Sequence, residues 1–351
     1  MRTKLFALIS AAAIGLFALL GGCSCSGDNV LSFSDVSPNT EKLCYTVEYV
    51  EDYNESTKKD VNLNNLFTVE YTNGSYVSEL SSATVDSVTG NSDILDIKDT
   101  KGEPFIERVY LLTTEFKIDL KITIGENEYN RTEKITTKAY IASAGVSFAP
   151  LYACEDAEYL IISAGAEKVE TAVVKSYTET FYDKDEFRSV KTAKTFNVTD
   201  AKESMSLDGE TPQEKTVKYD FRTAIDNAEL LFAIRGVAVA ENASATVNVI
   251  SPAYDSPTPV RITNSGTAEK SFSLNYNGET VTSNVKYNQL SFAINSTNAS
   301  GAPQYANVQT EAAGVIKNNA LLLEYVKPLF VYGSYMKMGA LKFTLNDVTI
   351  G

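Results

Sequence analysis

Short alternating strands, turn dipeptides between them and few long helical patterns predict a mainly β protein. The expected architecture is two antiparallel β-sandwich domains, Ig-like or jelly-roll-like, behind a flexible N-terminal stretch. Period-2 alternation marks strands with one buried and one wet face, the habit of antiparallel rather than parallel sheet.

In chain order, Leu43, Tyr45, Val47 and Tyr49 alternate with Cys44, Thr46 and Glu48, which gives the first strand. Phe67 to Tyr71, Asn73-Gly74 and Tyr76-Val77 read as a hairpin, since Asn-Gly supplies the positive φ of a tight turn. The clearest strand sets Phe116, Ile118, Leu120, Ile122 and Ile124 against Lys117, Asp119, Lys121 and Thr123. Gly125 to Glu128 turns it back into a partner through Ile135, Thr137 and Ala139.

From about Tyr152 a second set begins. Glu170 to Tyr182 and Phe187 to Asn197 flank the acidic turn at Asp183, Asp185 and Glu186. Ala245 to Ile250 follows, then Ser271 to Tyr276, which Asn277-Gly278 turns into Thr280 to Tyr287. Leu321 to Val326 and Ala340 to Leu345 close the chain. Phe221 to Ile234 carries helical spacing, although Leu230, Phe232 and Ile234 also alternate, and Thr310 to Asn319 fits a short helix. The uncharged stretch Ala142 to Ala153 separates the two strand sets, with the polar run Thr199 to Lys215 the next choice.

The first residues follow another logic. Arg2 and Lys4 precede an uncharged apolar run, Leu5 to Leu20, long enough for a signal segment but marginal for a stable span. Leu20, Gly21, Gly22 and Cys23 follow, a small-residue pair running directly into a cysteine. This segment resembles the lipobox of bacterial lipoproteins. The resemblance implies cleavage before Cys23, lipid on its thiol and a place at the extracytoplasmic face of a bacterial membrane, and two acyl chains hold stably where one is reversible. The expected plan is a signal peptide at 1–22, a lipid-anchored tether at 23–42, a sandwich domain at 43–148 and a larger β-rich domain at 149–351. The roughly 18 residues of tether reach at most about 60 Å when extended.

Composition excludes whole classes. The formal net charge of -14 becomes about -16 once Arg2 and Lys4 leave with the signal peptide, which repels phosphate backbones and argues against nucleic acid as a partner. The chain has no histidine, so no Ser-His-Asp or Cys-His machinery and no His-ligated metal site can form. No tryptophan is present to stack on sugars, though 20 Tyr and 16 Phe remain. With Cys23 lipidated, Cys44 and Cys154 are either a disulfide or two free thiols, and Cys25 lies in the tether.

Candidate sites are few. Asp93, Asp96, Asp99 and Glu103, and separately Asp183, Asp185 and Glu186, are acid-spaced loops of the kind that can hold Ca²⁺, but without EF-hand spacing they read as solvated turns. No metal, cofactor or catalytic residue is assigned, because 45 acids single out no pair. The expected function is a non-enzymatic binding, adhesion or scaffold module meeting a glycan, an envelope component or a protein. A carboxylate-dependent, glycan-directed hydrolase is the alternative, and a solute-binding lipoprotein the third reading. A deep cleft with two close carboxylates marks the hydrolase, a hinge cleft the receptor, and loops and faces alone the scaffold.

Overall fold

The computed structural model describes residues 40–50, 67–106, 108–144, 147–164, 169–201, 205–236, 239–251, 256–294, 304–309, 320–330 and 337–351. Positions 20–23, and the helix expected at 310–319, lie outside them. The strands are β1 (Thr40–Val50), β2 (Phe67–Ala83), β3 (Arg108–Ile124), β4 (Asn127–Ala144), β5 (Ser147–Ala164), β6 (Val169–Tyr182), β7 (Glu186–Asn197) and β8 (Gln213–Lys218). They continue as β9 (Ala224–Asp226), β10 (Ser244–Ile250), β11 (Thr258–Tyr276), β12 (Glu279–Ile294), β13 (Gln304–Gln309), β14 (Leu321–Phe330) and β15 (Lys337–Ile350). The chain is mainly β, as its alternation predicts.

The expected division into two sandwiches is not the pattern of pairing. Among the described residues, one sheet carries all fifteen strands in the order β8-β7-β6-β5-β4-β3-β2-β1-β15-β14-β13-β12-β11-β10-β9. The meanders β1–β8 and β9–β15 are stitched by their outer ends, β1 lying antiparallel to β15 from Glu41↔Ile350 to Val50↔Ala340. The expected 148/149 boundary falls inside β5, which pairs with β4 across it, Ser143↔Phe148 and Ala142↔Ala149 in register. Within the second meander, Asn275↔Asp347 and Tyr276↔Val348 bring β11 back to β15 and close the circuit β15-β14-β13-β12-β11.

Local chemistry explains the strands. In β1, Leu43, Tyr45 and Val47 are buried while Lys42, Thr46 and Glu48 are exposed. In β3, Leu112, Ile118, Leu120 and Ile122 are buried on one side, with the exposed Glu115 and Lys117 on the other. Gly125, at φ 62°, begins the two-residue turn into β4. The two Asn-Gly dipeptides diverge. Asn277 and Gly278 both take positive φ and form the expected tight turn between β11 and β12. Asn73-Gly74 is instead a bulge inside the continuous β2, where register shifts between Thr72 and Ser75. Gly74 is needed there because a Cβ would lie 2.2 Å from the Val47 carbonyl oxygen of β1.

The sheet covers itself, so some strands lose their wet face. Leu321 to Tyr325 of β14 are buried without a break, as are Ala149 to Ala153 of β5. The largest core runs from Leu43 in β1 to Val348 in β15, so both meanders share one interior. A smaller core gathers Leu120, Ile122 and Val173 under Val198, Ala201 and Met205. Phe221 to Ile234 is broken rather than one helix: a turn, the short β9, then single helical turns over Asn227–Glu229, Leu230–Ala233 and Ile234–Gly236. Apolar positions at both helical and strand spacing let the segment fold in pieces over the sheet.

Candidate functional site

Directly paired residues of an antiparallel ladder share one face, so register defines rows across the sheet. One inward row reads Phe116, Ile135, Ala157, Ser176, Ala193 from β3 to β7. The next reads Thr114, Thr137, Glu155, Thr178, Lys191. A polar stripe thus crosses this face, and beyond the Phe116 row Glu133 stands opposite Ile118.

Over this stripe lies a cavity of about 120 Å³. Its floor is Phe116, Ile135, Thr114, Thr137 and Glu155; Tyr325, Lys327 and Phe343 of β14 and β15 make the facing wall. Asn227, Ala228, Leu230 and Leu231, from the broken helical segment, make the roof. Phe343 organises the apolar end, its ring 5.7 Å from Tyr76, 5.9 Å from Phe116 and 5.6 Å from Tyr325. The Thr114 and Thr137 hydroxyls satisfy each other at 2.7 Å. A second space of about 10 Å³ adjoins it through Glu155, Asn227 and Ala228, and Thr178, Thr180 and Asp226 also line it. That is room for about one water.

The electrostatics follow from enclosure. Glu155 and Lys327 are both half-buried and both line the cavity. Burial raises the Glu155 carboxyl above its usual range, while Lys191 and Lys327 oppose the shift. Burial lowers the Lys327 ammonium, with Glu133 and Glu155 holding against it. Asp226 accepts from the Tyr182 hydroxyl and from the Ala228 amide at 2.7 Å, and burial pushes its carboxyl up to about 6.

Two buried ionisable residues of the segment 227–236 are held differently. Arg235, 2% exposed, grips the buried Glu41 of β1 with both terminal nitrogens, Nη2 to Oε2 at 2.7 Å, and its Nε donates to the Ala320 carbonyl at 2.8 Å. Glu229, 0% exposed, has no hydrogen-bond partner for either oxygen, and burial raises its carboxyl well above the ordinary range. The buried Tyr219 hydroxyl also lacks a partner.

Residues singled out from sequence fall elsewhere. The acidic loops are separate in sequence, but the fold joins them: the Asp93 amide donates to Asp183 Oδ1, and the Lys184 amide to Asp93 Oδ1. Asp99 Oδ1 accepts from the Lys101 and Glu103 amides, which makes it a turn former. Among the described residues, no group of three or more His, Cys, Asp or Glu is arranged to hold a metal, and no helix is long and apolar enough to cross a membrane. Cys44 and Cys154 are both free thiols, so the disulfide weighed from sequence is not formed. Cys44 is on β1 and Cys154 on β5, with β2, β3 and β4 between them, and bridging requires Cα atoms within about 7 Å.

Sequence reasoning missed Glu155, Thr178 and Lys327. Parity was the available signal for Glu155: in β5 it lies two residues from Ala153 and Ala157, both buried, and so shares their inward face. Lys327 follows the apolar run of β14 and gives no such cue, because that strand is buried on both faces.

No family model matches the chain, and no curated protein does. Among solved structures it is similar to a β-barrel-like protein of a domain of unknown function from Brucella abortus. That protein is 10% identical, the match covers 90% of this chain and 99% of that one, and the TM-score is 0.43.

Proposed function

We propose that this chain is a lipid-anchored, non-enzymatic binding protein at the extracytoplasmic face of a bacterial membrane, and that the cavity under residues 227–231 is its binding site. The observation that carries this reading is the cavity wall: three rings around Phe343, closed by Leu230 and Leu231, with charge confined to one end. Such a lining, apolar with a few placed polar groups, is the usual character of a small-ligand site. Cys23 supplies the anchor, as the lipobox resemblance implies.

One observation favours the hydrolase alternative: Glu155 and Asp226 line the same small space. It is the weaker reading, because about 10 Å³ admits no sugar ring and both Asp226 oxygens are already engaged.

Two experiments test the proposal. A fatty-acid analogue should label the wild-type chain and not Cys23→Ala; label persisting on the variant refutes the anchor. Benzene, a probe for cavities of this size, should raise the thermal midpoint of the wild type and leave Leu231→Trp, whose indole fills the space, unmoved. Equal responses in both proteins, or none in either, refute the cavity as the site.

A further inference from the structure

The segment over the cavity is pinned at two points. Asp226 accepts from the Tyr182 hydroxyl of β6 and from the Ala228 amide, and Arg235 is fixed to Glu41 and to the Ala320 carbonyl. Between the pins the chain makes two single helical turns, Asn227–Glu229 and Leu230–Ala233, too short to hold without tertiary support. Asn227, Ala228, Leu230 and Leu231 line the cavity, and Glu229 does not. Glu229 is nevertheless 0% exposed, and neither of its oxygens has a hydrogen-bond partner among the described residues. Facing it are Asp226 on its own turn, Tyr182 of β6 and Tyr219 just after β8, and Asp93, Asp183 and Asp220 act on that Tyr219 hydroxyl in turn. On the cavity side, β4 presents Ile135 and Thr137, and β5 presents Glu155, which Asp226 also repels. Lys191 and Lys327 are engaged with Glu155, Lys327 with Glu133 as well, and Arg235 with Glu41. The ionisable groups turned toward Glu229 are thus acids and phenols.

We propose that residues 227–231 form a proton-controlled gate over the cavity: the segment stays seated while Glu229 holds a proton, and loss of that proton releases it and frees the ligand. This rests on reading the cavity as the binding site. The seated position takes a neutral carboxyl far better than a carboxylate, because an ionised group enclosed without a partner carries a large desolvation cost. Burial accordingly raises the Glu229 carboxyl well above its ordinary range. In the released position water solvates the group, and its pKa returns to about 4.3. Release therefore gives up a proton. Between that value and the seated-state value, each pH unit favours release by up to about tenfold. Rising pH opens the gate and falling pH closes it. The chain between Asp226 and Arg235 bows outward while both pins hold, so the sheet itself stays folded. Asp226, pushed up to about 6, acts in the same sense at lower pH, so the range above about pH 6.5 isolates Glu229.

The test is amide protection at Leu230 and Leu231, corrected for the intrinsic pH dependence of exchange, in the full chain in lipid nanodiscs. From about pH 6.5 to about pH 8.5 the protection factors should fall at least about tenfold in the wild type. In the isosteric Glu229→Gln they should change by less than about twofold. Protection at Ile118 of β3, which reports opening of the whole sheet, should exceed that of the roof at each pH. Benzene release, followed by exchange NMR with empty nanodiscs as the blank, should quicken at least about tenfold over the same range in the wild type alone. Should Glu229→Gln not fold, Glu229→Leu takes its place. Equal pH responses in wild type and variant, roof protection no lower than that of Ile118, or release that does not quicken overturns the gate and leaves the cavity as the site. No benzene binding at any pH overturns the site, and the gate with it.

Discussion

Glu41 and Glu229 are both sealed in the interior, and the fold treats them in opposite ways. Glu41 is met by a bidentate guanidinium, and the third Arg235 contact ties the same side chain to the Ala320 carbonyl. Glu229, six residues before that arginine, has no partner for either oxygen. Glu229 lies within the run of residues that roofs the cavity, and Arg235 lies four residues beyond its last member, Leu231. Arg235 fixes the segment to the first strand by a buried ion pair, while burial raises the Glu229 carboxyl well above its ordinary range. The difference teaches where stability and strain reside: the Arg235 end is over-determined, and the Glu229 end holds a group whose desolvation nothing offsets.

The largest effect should come from breaking the satisfied pair. Arg235→Met leaves Glu41 buried and uncompensated and should cost about 3–5 kcal/mol, read from the urea midpoint. Adding Glu41→Leu should recover most of that loss, since the apolar pair replaces the ion pair without stranding a charge. If the single variant is neutral, the clasp is not what holds the roof.

Glu229→Leu should act in the opposite direction, stabilising by about 1–3 kcal/mol near neutral pH because a desolvated, unpartnered polar group disappears. The pH sign follows from the raised folded-state pKa. Above the unfolded value, about 4.3, the native chain keeps a proton that the unfolded chain releases, so stability falls as pH rises toward the folded value. The advantage of the leucine variant should therefore grow from pH 4 to pH 8. Asp226, raised to about 6, loses stability in the same sense between about pH 4 and 6, so a slope there should survive in the variant. An advantage that shrinks with rising pH contradicts the upward shift of the Glu229 carboxyl.

The smallest effect is expected at Tyr219. Its buried hydroxyl has no partner, so Tyr219→Phe should change stability by less than about 1 kcal/mol, toward stabilisation. A loss above that in thermal melts would reveal a bridge to Glu229, and the two carboxylate environments would then differ less than described.

Much of the β body was legible because alternation reports burial directly: Leu43, Tyr45 and Val47, and Ile118, Leu120 and Ile122, face inward as their spacing requires. Asn277-Gly278 was legible as a turn, whereas the identical dipeptide at Asn73-Gly74 was not legible as a bulge. What separates them is the Val47 carbonyl pressed against Gly74, a contact made across the sheet and therefore absent from any local window. The single sheet was hidden for the same reason: alternation tells which face is buried, but not that β1 pairs with β15, some 300 residues away. Of the cavity, the inward parity of Glu155 was readable and its importance was not, because Lys327, Asn227 and Leu231 join it only through the closure of the sheet.

Hydrogen exchange of residues 227–236 tests the central claim, that the space beneath this segment is a binding site, most directly. Saturating the chain with benzene should slow exchange at Ala228, Leu230 and Leu231, and leave the edge strand at Gln213–Lys218 unchanged. Protection spread evenly over the sheet, or none in the roof, would contradict it.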